Sequence, residues 1–195
     1  MKQRKLEMLL QKVEGFENPN VNLEQYATPA LLAAEMLHFA YMQGDLGGKV
    51  FDLGCGTGML AIGAKILGAG EVTGFDIDRK ALEVARRNAG NMGVDVEFVH
   101  SDIAEIEGHA DTVVMNPPFG AQSKGNDRPF LLSALKTSDV VYSIHNCGSH
   151  DFIRKFIGDA RITDWYTTAF PMKRTFKFHK KEVEMIKVEI YRIVR

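Results

Sequence analysis

Residues 116–119 read Asn-Pro-Pro-Phe, directly after the apolar run Val113-Val114-Met115. The run ends a buried strand, and the two prolines cannot donate backbone hydrogen bonds and bias their predecessors toward extended geometry. Such a turn fixes two acceptors, the Asn116 side-chain oxygen and the Pro117 carbonyl, whose torsion Pro118 restricts. That pair suits a planar amino group on a base or amide. Its nitrogen is a poor nucleophile until it pyramidalises, and acceptors on both N–H groups favour that change. Phe119 adds a flat face for a planar substrate. No general base is required, because the alkylated nitrogen is acidic and loses its proton to water. A rigid strand-end turn is the bland alternative, since Asn-Pro is a common turn dipeptide.

A second constellation weighs against that alternative. "VFDLGCGTGML" (50–60) places Gly54, Gly56 and Gly58 between a strand and a helix, where glycine lets the backbone approach a ligand closely. Asp76 ends the next strand, 22 residues after Gly54, the spacing at which a carboxylate reaches ribose hydroxyls. The ligand is a dinucleotide or S-adenosylmethionine. The spacing is G-x-G-x-G, and Asp52, ahead of the first glycine, would repel a pyrophosphate but suits a cationic ammonium and sulfonium. S-adenosylmethionine is therefore the expected cofactor. The loop residues Thr57 and Met59, and Ile77 beside Asp76, belong to the same expected pocket, and Asp102 with Ile103 supplies a polar contact and an apolar wall for an adenine ring.

These residues need a sheet to hold them. Strands are predicted at 49–53, 71–77, 95–101, 111–116, 139–145 and 161–170, with a last, half-exposed strand in "EVEMIKVEIYRIVR". Helices are predicted at 3–14, from Thr28 as N-cap and Pro29 as first helical residue to 43, at 59–68, 79–92, near 128–137 and at 149–159. Strands alternating with helices indicate an α/β fold with a mostly parallel sheet. The last two strands have no helix between them and should pair antiparallel at one edge. One domain, 1–195, is expected, with 1–43 as a helical segment over the cofactor and 49–195 as the core.

The net charge of −1 excludes a globally basic nucleic-acid binder, but residues 171–195 carry 8 Lys and Arg against 3 Asp and Glu. Within them, Lys173, Arg174, Lys177, Lys180 and Lys181 interleave with Phe176 and Phe178, a pattern in which cations contact phosphates and aromatics stack on unpaired bases. Lys124 and Arg128, just after the Pro-Pro turn, are read as a solvated loop, and His145 as a satisfied core or rim histidine. Cys55 and Cys147 have no C-x-x-C partner, so neither a disulfide framework nor a metal site is expected. The charged N-terminus and the lack of a long apolar run point to a soluble, cytoplasmic protein.

With the glycine loop, Asp76 and the Pro-Pro turn in place, the chain resembles the class I, Rossmann-like S-adenosylmethionine-dependent methyltransferases. That resemblance implies a seven-stranded sheet with an antiparallel last strand and helices on both faces, with Asp102 on the adenine amino group. "GFENPNVNLEQYATPA" (15–30), "LGAGEVTGFDID" (67–78), "KGNDRPFL" (124–131), "YSIH" (142–145) and "FKFHKK" (176–181) are similar, in order, to the methyltransferase-like protein 5 family. That family methylates N6 of one adenosine in small-subunit ribosomal RNA. The resemblance implies that Gln25 and Thr28 close the cofactor pocket, that Asp76 holds ribose and that Asn116 to Phe119 hold the flipped adenine. It also implies a small zinc-binding activator protein that adds a strand to the third-strand edge. "HNCGSHDF" (145–152) departs from the family pattern. The alternatives are guanine-N2 or protein-glutamine methylation, a non-catalytic RNA-binding subunit with this fold, and a nicotinamide dehydrogenase.

Overall fold

The computed structural model describes residues 1–20, 23–119, 125–173 and 183–195. Seven strands, β1 (Lys49–Leu53), β2 (Glu71–Asp76), β3 (Glu97–His100), β4 (Ala110–Met115), β5 (Ser138–Asn146), β6 (Arg161–Lys173) and β7 (Val183–Val194), form one sheet in the order β3-β2-β1-β4-β5-β7-β6. β1 to β5 pair in parallel; β7 enters between β5 and β6 and is antiparallel to both. This is the expected Rossmann-like arrangement. Among the described residues six α-helices, α1 (Gln3–Leu10), α2 (Ala30–Gln43), α3 (Met59–Ile66), α4 (Arg79–Met92), α5 (Arg128–Thr137) and α6 (His150–Phe156), flank the sheet.

Period-2 alternation sorts the core into two layers. Val50 and Val114 pack with α1 to α4, while Phe51, Leu53, Val113 and Met115 pack with α5 and α6. The strand order reverses between β1 and β4, so the loops after these strands open a crevice at the carboxyl end of the sheet. β6 ends and β7 begins at that same end, which places the flanks of the basic segment there. No helix among the described residues is long and apolar enough to cross a membrane.

Several boundaries differ from the sequence reading for identifiable reasons. α1 stops at Leu10 instead of 14, because the Glu14 amide donates to Asn88 Oδ1 on α4 (3.0 Å) and draws the chain off the helix axis. Thr28 is not an N-cap: Pro29 occupies that position and its carbonyl accepts from Ala33, leaving the Thr28 hydroxyl for a longer-range partner. β7 is exposed only near its start, at Met185 and Lys187, and buried on both faces from Val188 to Tyr191. Val188, Glu189, Ile190, Tyr191 and Ile193 are all buried, since the strand lies between two others with helices over both faces. α6 starts where the buried Glu189 carboxylate accepts from the amides of Gly148 (2.9 Å) and Ser149 (3.1 Å).

Candidate active site

The crevice holds a cavity of about 370 Å³, within the range of small-molecule sites. Its floor is the glycine loop. Gly54, Gly56 and Gly58 all adopt positive φ (70°, 52° and 89°), which only glycine tolerates cheaply. A Cβ on Gly54 would stand 2.8 Å from the Phe130 ring, and one on Gly56 the same distance from Phe16. Two aromatic rings thus rest on the backbone of the loop and line the cavity from α5 and from the N-terminal arm.

Asp76 organises the loop. Its carboxylate accepts from the amides of Gly56 (2.7 Å) and Asp78 (2.9 Å), tying the glycine loop to the β2–α4 turn. Burial raises its pKa above the usual carboxylate range, opposed by these two N–H donors. Gln25 latches the arm onto the same turn: its Nε2 donates to Asp78 Oδ2 (2.7 Å) and its Oε1 accepts from the Asn20 amide (2.8 Å). Asn88 holds the arm from the other side, donating to the carbonyls of Glu14 (3.0 Å) and Thr57 (2.9 Å). Ile77, 51 % exposed, and Ile103 are apolar surfaces left open on the cavity wall. Asp102 stands beside them, its Oδ1 accepting from the Ala104 amide (2.9 Å).

Asn116 follows β4 and lines the opposite side. Its Nδ2 donates to Thr28 Oγ1 at 3.0 Å, while its Oδ1, shielded from solvent, has no hydrogen-bond partner among the described residues. An unsatisfied buried acceptor costs roughly 1–3 kcal/mol, so this oxygen is poised for a ligand N–H.

Of the residues expected from sequence, Gln25, Gly54, Gly56, Asp76, Ile77, Asp102, Ile103, Asn116 and Pro118 line the cavity. Thr28, Asp52, Thr57, Met59, Pro117 and Phe119 are not among its lining residues. Thr28 acts through Asn116. Phe119 packs on the larger core cluster, and its carbonyl accepts from Asn146 Nδ2 (3.3 Å). Asp52 lies under the loop, 1 % exposed, with Oδ2 accepting from the Ala61 amide in the first turn of α3 (2.8 Å). Lys173 ends β6, and Arg174, Lys177, Lys180 and Lys181, like Lys124, lie outside the described residues. The sequence reading missed Phe16, Glu24, Asn126 and Phe130 in the cavity. Phe16 had a faint signal as a lone aromatic in a polar stretch; Phe130 had none, because only the fold brings α5 back over Gly54.

Desolvation pushes the Asp52 carboxyl up to about 8, against the Ala61 hydrogen bond and with a smaller contribution from Asp76. A carboxyl that keeps its proton in the fold, against an ordinary value of 3.8, stabilises the fold most at low pH. That contribution is lost as pH rises through about 8, at up to ~1.4 kcal/mol per pH unit. The melting temperature should therefore fall as pH rises from about 3.8 to about 8 and level off above, and Asp52→Asn should flatten that slope. An unchanged slope in the variant would assign the effect elsewhere.

The methyltransferase small domain family matches residues 30–134. Over 204 residues the chain is 39 % identical to rRNA N(6)-adenosine-methyltransferase Mettl5 of Drosophila melanogaster, spanning 98 % of this chain and 96 % of that one. The chain belongs to the methyltransferase-like protein 5 family. Its Danio rerio relative, rRNA N(6)-adenosine-methyltransferase METTL5, is 38 % identical, with 98 % of each chain covered. A crystal structure of a candidate RNA methyltransferase from Pyrococcus horikoshii superposes with a TM-score of 0.93 at 43 % identity, covering 100 % of this chain and 98 % of that one. The cofactor of this methyltransferase is S-adenosylmethionine. The lining is compatible with it: a half-buried carboxylate (Asp76), glycine backbone at Gly54 and Gly56, and the apolar side chains of Ile77 and Ile103 offer the polar and apolar groups that such a molecule needs.

Proposed function

We propose that the chain transfers a methyl group from S-adenosylmethionine to N6 of an adenosine in small-subunit ribosomal RNA. One observation carries this reading. Asn116 keeps a shielded acceptor with no partner among the described residues, while one N–H of its amide nitrogen is committed to Thr28. The hydrogen bond to Thr28 fixes the orientation of the amide, and its shielded oxygen suits a ligand that offers N–H.

S-adenosylmethionine, when bound, supplies an electrophilic methyl group on sulfur. The chain's part is positioning. Asn116 Oδ1 and the Pro117 carbonyl each accept one N–H of the substrate amine, so its lone pair localises as the nitrogen pyramidalises. Pro118 holds the Pro117 carbonyl, and Phe119 braces the turn against the core. His145 takes no part as a base. It is 2 % exposed, its Nε2 is 2.7 Å from Ser143 Oγ, and its Nδ1 is 3.6 Å from Asp127. Lys173, at the end of β6, and Arg174, Lys177, Lys180 and Lys181, which follow it in sequence, contact the RNA backbone. The names of the family relatives favour adenine over guanine or glutamine.

The test is transfer of labelled methyl from S-adenosylmethionine to small-subunit ribosomal RNA lacking its own modification, followed by digestion and mass spectrometry. N6-methyladenosine is expected; label in methylguanosine would overturn the base assignment. The partner reading is a small zinc-binding protein that adds a strand to β3, one of the two edges of the sheet. Arg86 Nη2 caps one β3 carbonyl, that of Phe98, at 2.8 Å. A free chain that is monomeric and fully active would count against that partner.

A further inference from the structure

Trp165 is the chain's single tryptophan and is 47 % exposed. Its indole is nevertheless held in place. It lies within 12° of parallel to the buried Tyr191 ring at a centroid distance of 6.1 Å, and the His150 ring sits 4.6 Å away at 39°. Tyr191 is itself pinned, its hydroxyl donating to Glu189 at 2.5 Å. An aromatic surface that is rigid yet half open has the form of a stacking platform.

Register places this platform relative to the reaction. Met115, Ser143, Tyr191 and Trp165 form one row across β4, β5, β7 and β6. Trp165 is therefore three strands from the residue before Asn116, roughly 14 Å at the usual strand spacing. A chain of hydrogen bonds links the two above the buried row. Asn146 donates to the Phe119 carbonyl, Ser149 Oγ donates to the Asn146 carbonyl (2.8 Å), and His150 follows.

The surroundings are polar and cationic, not apolar. Thr163 and Thr167 beside Trp165 are exposed, and Lys187 faces the same side through its register with Ala169. The nearby carboxylates are already engaged: Asp151 with Arg154 (3.8 Å), Asp164 with Arg192 (3.9 Å), and Glu189 with Tyr191 and two backbone amides. β6 then runs into the basic segment. An isolated aromatic with a polar rim and neighbouring cations suits a base on a phosphate chain better than an apolar protein face.

We propose that Trp165, backed by His150 and Tyr191, is a second base-stacking site that holds an unpaired nucleobase flanking the methylated adenosine. This rests on the RNA reading above. Because Trp165 is the only indole, its fluorescence reports the contact directly. A single-stranded RNA dodecamer carrying a terminal fluorescein is titrated into the full chain, with fluorescein anisotropy and Trp165 emission followed together. Emission should be quenched in parallel with the rise in anisotropy, and an abasic strand of the same length should bind without quenching. Trp165→Ala should weaken dodecamer binding by about 5- to 150-fold and Trp165→Phe by much less. Saturating anisotropy with unchanged emission, or equal quenching by the abasic strand, would overturn the stacking site alone. Flat anisotropy would overturn the RNA reading with it.

Discussion

Replacing Asn116 by alanine is expected to lower single-turnover methyl transfer by about a hundredfold or more, the scale on which loss of one preorganised polar contact to a reacting group acts. Binding of S-adenosylmethionine, measured by calorimetry, should change by no more than about threefold, because the contact is made to the substrate amine and strengthens only as it pyramidalises. The partner effect is smaller and more diagnostic. Thr28 accepts from Asn116 Nδ2, so Thr28→Val removes the group that keeps the amide oxygen turned toward the substrate. A loss of about fivefold in rate is expected, the worth of one hydrogen bond of about 1 kcal/mol, and Thr28→Ser should restore it. If Asn116→Ala instead weakened cofactor binding and left the rate at saturation intact, Asn116 would be a cofactor ligand and the amine clamp would be wrong.

The difference between Thr28 as read and Thr28 as found shows where sequence reasoning stops. Short-range patterns were legible because one local cause dominates each. Glycines between β1 and α3 mean positive φ, and Asp76 at the end of β2 follows from the strand–helix–strand rhythm. The antiparallel β6–β7 pair follows from the missing helix. Thr28-Pro29 carries the local signature of a helix start, and that signature was overruled by a contact 88 residues away. Asp52 illustrates a different limit. Alternation along β1 sets it opposite Phe51 and Leu53, on the α3 side, so its place beneath the loop was implicit in the strand period and obscured by the chemistry assigned to it. The rings of Phe16 and Phe130 on the glycine loop, and the three hydrogen bonds by which Asn88 ties that loop to the arm, have no local signature. They arise from how the helices are stacked on the sheet.

The second large effect is on cofactor affinity. Asp76→Ala should raise the dissociation constant for S-adenosylmethionine by about a hundredfold or more, with the rate at saturating cofactor within about threefold of the parent. Two contributions combine. Asp76 lines the cavity; as the proposed acceptor for ribose hydroxyls it would make hydrogen bonds to a charged group, worth about 1.5–3 kcal/mol each. The same carboxylate holds the Gly56 and Asp78 amides, so its loss also releases the glycine loop from the β2–α4 turn that Gln25 grips. Asp76→Asn retains one acceptor oxygen and should fall between the two. A pH titration separates charge from shape. Burial raises the Asp76 pKa, so cofactor affinity should fall on the acid side, beginning at a higher pH than an ordinary carboxylate would require, and stay constant above that limb. In Asp76→Asn the acid limb should vanish while the lower affinity remains. Retention of the limb in that variant would mean that another group titrates with the cofactor and that Asp76 serves only to shape the loop.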